Sequence, residues 1–130
     1  MKKHKYIILS IIVLCLFVVF VGTDKSIRNA KTIKTDSEIY SDFEINSAIL
    51  SAKLYFVFNF KDCELLEITY AGDKANIDND KNTIILTSSF KSGSDWQSTG
   101  LESDYTYTNW KFIMVRRLGF LWLHKDHGYV

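Results

Sequence analysis

The sequence predicts an α+β protein: one long helix packed on a four-stranded antiparallel sheet, preceded by a single N-terminal transmembrane helix. Three observations carry this. A charge-free apolar run follows a basic N-terminus; apolar residues recur at three- and four-residue steps between Ser41 and Phe60; and from Cys63 onward the period changes to two. One helix followed by strands in hairpin succession is an α+β order, which antiparallel pairing satisfies.

The N-terminal segment reads "MKKHKYIILSIIVLCLFVVFVGTDK". Lys2, Lys3 and Lys5 precede a run without charge from Tyr6 to Thr23. About 18 apolar residues lie at the short end of what spans a bilayer, and exceed the roughly 7–15 of a secretory signal core. The exit, Phe20-Val21-Gly22-Thr23, is a weak cleavage site. Residues 1–22 therefore read as an uncleaved signal anchor, with secretion after cleavage as the alternative. The leading lysines outweigh Lys25, Arg28, Lys31 and Lys34 behind the span, so the protein is expected at the cell membrane as a single-pass chain. Its partner there is the lipid bilayer, through residues 6–22. Residues 23–36 are polar and aperiodic, a linker, and 37–130 form the domain expected outside the cytoplasm.

The net charge of +1 hides an asymmetry. Residues 1–34 carry seven Lys/Arg and one Asp, whereas residues 35–130 carry nine Lys/Arg and fourteen Asp/Glu. An acidic domain repels a phosphate backbone, which argues against nucleic acid as a partner. Cys63 is the single cysteine after Cys15, so no disulfide framework exists within the domain. At the start of a strand it reads as a small buried hydrophobe.

Each element has its own signal. Ser41-Asp42-Phe43-Glu44 fits a capping box, and Ile45, Ala48, Ile49, Ala52, Tyr55 and Phe56 form the apolar stripe of a helix ending near Phe60. "CELLEITYA" alternates, placing Leu66, Ile68 and Tyr70 on one face; "TIILTSSF" places Ile84, Leu86 and Phe90 on one face. "YTYTNWKFIMVRR" (105–117) and "FLWLHKDHGYV" (120–130) complete the four strands, joined at Leu118-Gly119. Two familiar architectures have this order, the cystatin-like roll and the NTF2-like roll.

In the third strand the even face is Thr106, Thr108, Trp110, Phe112 and Met114, and the odd face is Tyr105, Tyr107, Asn109, Lys111, Ile113 and Val115. Phe112 to Val115 are apolar on both faces, which predicts a sheet covered on both sides. Most of the stretch is sheet packing. Its first half mixes hydroxyls, an amide and an indole, so Tyr107, Asn109 and Trp110, with Tyr70, are the candidate binding residues at a cavity mouth.

Other constellations carry less. Asp78, Asp80 and Asn82 fall at the first ligand positions of a calcium loop, but Thr83 stands where the turn glycine belongs and Ser89 where the bidentate Glu belongs. "HKDH" holds His124, Asp126 and His127; in a regular strand His124 and Asp126 share a face and His127 points away. Trp96, in a polar loop, either folds back onto the sheet or marks a contact surface. No catalytic residue, metal site or cofactor is assigned.

"CELLEITYAGD" (63–73), "TSSF" (87–90), "YTNWKFIMVR" (107–116) and the closing "GY" (128–129) resemble, in that order, a family of uncharacterised bacterial domains that are secreted or membrane-anchored and common in clostridia. "YAGD" and "YTNW" are the most specific pieces. The resemblance implies no activity, substrate or catalytic residue. Relatives commonly carry Asp where Ser89 stands and Trp where His127 stands, which weakens an enzymatic reading. The expected function is a non-catalytic binding or interaction module that engages another envelope protein or a small ligand. The alternatives are an NTF2-like small-molecule enzyme, with a pocket near the third strand, or a cystatin-like inhibitor.

Overall fold

The computed structural model describes residues 2–22, 24–75, 81–94, 100–119 and 121–128. In chain order the elements are α1 (Lys2–Gly22), β1 (Lys31–Lys34), α2 (Asp42–Asn59), β2 (Glu64–Tyr70), a short 3-10 turn (Asp73–Ala75), β3 (Thr83–Lys91), β4 (Thr106–Arg117) and β5 (Leu121–Gly128). The fold is α+β. Trp96, and Asp78 and Asp80 of the calcium-like loop, lie outside the described residues.

The helix that was expected forms for the reason given by its sequence. Ser41 caps α2: its hydroxyl accepts from Glu44 N at 3.1 Å, and the Glu44 carboxylate accepts from Ser41 N at 3.3 Å. Ile45, Ala48, Ile49, Ala52 and Phe56 are its buried stripe. They meet Leu65, Ile68, Ile84, Leu86, Phe90, Phe112, Met114 and Trp122 from the sheet in one core.

Three parts of the expected architecture are corrected. The sheet has five strands in the order β1-β2-β3-β4-β5, and it is mixed. β1 comes from the stretch read as a linker and pairs parallel to β2, with Thr32 opposite Ile68. Four residues flanked by Lys31 and Lys34 give no alternation to detect, and a short lysine-bearing strand is what protects a sheet edge. The parallel pairing needs a crossover, which α2 supplies, so β1-α2-β2 is a βαβ unit in place of an all-antiparallel roll. Neighbouring bonds hold the stretch in place: Leu65 N donates to Ser26 O at 2.7 Å, Thr35 N to Tyr70 O at 3.0 Å, and Ile27 is buried.

There are also two long helices among the described residues, α1 in addition to α2. Among the described residues no helix is long and apolar enough to cross a membrane, so the transmembrane helix expected over 1–22 is not supported. The physical reason is length. α1 spends its first turn on Lys2, Lys3, His4 and Lys5. The charge-free remainder spans about 25 Å at 1.5 Å per residue, short of a ~30 Å hydrocarbon core. Phe17 of α1 stacks on Phe58 of α2 with ring centroids 6.2 Å apart.

The third correction concerns faces. β2, β4 and β5 each carry a bulge, at Leu66, at Thr108–Asn109 and at Lys125. An extra residue shifts the alternation by one and turns everything beyond it to the opposite face. Leu65, not Leu66, is therefore buried beside Ile68 and Tyr70. Tyr107 likewise joins Trp110, Phe112 and Met114 on the inner face. Bulges also bend strands, and of the four strands beside α2 it is β5, at the far edge, that approaches the helix most closely.

Candidate functional site

Where the curled sheet closes on the C-terminal half of α2, a cavity of about 390 Å³ opens. Tyr55, Asn59 and Phe60 line it from the helix, Trp110 from β4, His127 from β5, and Gly100 and Leu101 from the segment before β4. The bulges decide this membership. Asn109 has φ +56, a left-handed conformation in which Asn is one of the few side chains tolerated. That kink sets Trp110 and Tyr107 on one face. The Lys125 bulge does the same for His124 and His127, placing them opposite Met114 and Phe112.

The two imidazoles meet: His124 Nε2 and His127 Nδ1 are 2.9 Å apart. Tyr55 lies flat on His124, with centroids 3.6 Å apart and planes within 5°. Trp110 stacks against His127 at 5.7 Å, and Phe60 stands edge-on to His127 at 5.2 Å. Burial among these rings pushes both imidazoles below the usual histidine range; the neighbouring His127 lowers His124 further, and Asp126 opposes the shift at each ring.

Of the candidates read from sequence, only Trp110 lines the cavity. Tyr107 is adjacent, stacked on Phe90 at 5.1 Å, but its hydroxyl accepts from Glu102 N at 2.9 Å. Asn109 is exposed, and its contribution is the bend. Tyr70 does not line the cavity. It is fully buried, and its hydroxyl donates to Asp73 Oδ1 at 2.5 Å. Ser37 Oγ donates to the same oxygen at 2.5 Å and Glu38 N to Oδ2 at 2.9 Å. The "YAGD" segment is thus a clip that ties the chain entering α2 to the end of β2, with Gly72 in the left-handed region at φ +108. The residues that sequence reasoning missed are His127, Tyr55, Asn59, Phe60 and Leu101. "HKDH" was visible, but a strict period of two separates its histidines.

A larger hollow of about 550 Å³ lies between the 24–29 turn, the end of α2 and the start of the β3–β4 connection. Lys25, Arg28, Lys61 and Lys91 face Asp24, Asp62, Glu64 and Asp104 around it, four charges of each sign, so it offers a ligand no net field. Cys63 lies on its wall with the thiol pushed up by burial, which keeps it protonated and unreactive. Among the described residues no group of three or more His, Cys, Asp or Glu could hold a metal ion. No protein-family model, curated protein or solved structure matches the chain.

Proposed function

We propose that the domain is a non-catalytic binding module whose ligand is a small molecule seated between α2 and the β4–β5 end of the sheet. The observation that carries this is the convergence of Tyr55, Trp110 and His127 on one cavity. An aromatic wall with few, placed polar groups is the usual make-up of a ligand site. The test is a thermal-shift screen of the full-length chain against metabolites, cell-wall fragments and lipids. A ligand at a hundred times its Kd adds about 2.7 kcal/mol, which is several degrees in a domain of this size. The expected outcome is a shift that disappears in Trp110→Ala or, should that variant be poorly folded, in His127→Phe. No shift from any compound would count against the reading.

The histidine pair supports a second reading, an enzyme in which His127 moves a proton on a small substrate. Turnover lost in His127→Phe while binding persists would favour it.

A further inference from the structure

The orientation of the rings around the cavity narrows the ligand, and this inference rests on the binding reading above. Tyr55, Phe60, Trp110 and His127 supply the ring walls. They meet as a corner. Phe60 stands at 88° to Trp110, 67° to Tyr55 and 64° to His127, and Tyr55 is tilted 49° from His127. Trp110 and His127 come nearest to parallel, at 28°, with their centroids 5.7 Å apart. A flat ring sandwiched between them needs about 7 Å, two contacts of ~3.5 Å. The walls therefore fit a rounded group and leave no slot for a planar one.

An aromatic face is negative, and a cation within about 6 Å of its centroid is attracted to it. Neighbouring centroids in this set lie 5.2 to 6.3 Å apart, so one cation in the corner reaches several faces at once. The π face of a neutral imidazole is the same whichever nitrogen holds its proton, so the argument is independent of the tautomers of the histidine pair.

The charges around the cavity decide the sign and kind of ligand. Among the described residues no Lys, Arg, Asp or Glu lines it. Residues 35–130 carry nine Lys/Arg against fourteen Asp/Glu, so the domain's field favours a cation and opposes an anion. A primary ammonium is strongly hydrated, and it would give up that water with no carboxylate in the lining to replace it. A quaternary ammonium has no N–H to satisfy, is round, and is held by ring faces alone.

We propose that the cavity binds a small molecule through a trimethylammonium group, seated in the corner formed by Tyr55, Trp110 and His127 with Phe60 behind it. The contact is cation–π throughout; no covalent step is involved.

The test uses three probes on the full-length chain: choline, its uncharged isostere 3,3-dimethylbutan-1-ol, and ethanolamine, which keeps the positive charge without the methyl groups. Binding is measured by isothermal titration at about pH 8, where both imidazoles are neutral. We expect choline to bind about tenfold tighter than either other probe, the ratio that desolvated cation–π contacts supply. The advantage should be lost in Trp110→Leu and reduced in Tyr55→Leu, which decides the matter should the first variant be poorly folded. Equal binding of choline and its isostere would overturn the inference and leave an apolar site standing. Equal binding of choline and ethanolamine would overturn it too, because charge alone would then suffice. So would an advantage unchanged in the folded variants. Should no probe bind, the thermal-shift screen separates the two readings. A hit there that is lost in Trp110→Ala keeps the binding module and removes the quaternary-ammonium ligand, and no hit removes both.

Discussion

Asn109 shows how one backbone angle governs a site it does not enter. At φ +56 it makes the bulge that turns Tyr107 and Trp110 to the same face. A β-branched residue is strained there, whereas glycine is not. Asn109→Val should therefore cost about 1–2 kcal/mol and Asn109→Gly close to nothing, both read by urea denaturation. Asp73 is the second case. Its carboxyl is held below the usual range by the bond from Ser37, then by those from the Tyr70 hydroxyl and Glu38 N. A carboxylate with a depressed folded-state pKa stabilises above its unfolded value, and that stability is lost as pH falls through the folded value. Asp73→Asn should flatten the acid limb of the stability curve below about pH 4, measured by thermal midpoint against pH. Tyr70, read from sequence as a binding residue, belongs to this clip. A tyrosine's spacing says nothing about which partner its hydroxyl meets.

Among elements, α2 was the most legible. Its cap and stripe are local signals, and they are present as written. Glu44 adds a role beyond its cap: it accepts from Arg116 Nη2 of β4, and the Arg116 guanidinium lies 4.9 Å from the Trp122 ring centre. Glu44→Ala should cost about 1–2 kcal/mol through cap and ion pair together, and Ser41→Ala about 1, by chemical denaturation. β5 was legible as a strand but not in its faces. Deleting Lys125 removes the extra residue and restores strict alternation. His124, Asp126 and His127 then alternate with both imidazoles on the inner face, so the coupling between them, seen in histidine side-chain NMR, should persist while the domain remains folded. β1 was not legible at all, because four residues with lysines at both ends become a strand only when β2 is there to pair with them.

At the scale of the whole molecule, the histidine pair makes stability depend on pH above the carboxylate range. Both rings titrate below the ordinary histidine value of about 6.5, chiefly because they are buried. Below that value the unfolded chain takes up protons that the folded chain refuses, so stability is fully present above about pH 6.5 and falls as pH drops toward the folded values. Thermal midpoints should decline from about pH 6.5 downward in the native chain. They should decline less in the double variant His124→Phe, His127→Phe, provided it folds. By itself the sequence determined the α+β class, α2 with its cap, four strand positions and the acidic balance of the domain. Each of these follows from short-range periodicity, capping chemistry or a count of charges. The tertiary structure alone decided the fifth strand and its parallel pairing and the three bulges. With the bulges came the choice of Tyr55, Trp110 and His127 as neighbours. A bulge is one residue out of step with a partner strand, and partner strands meet only when the chain has folded.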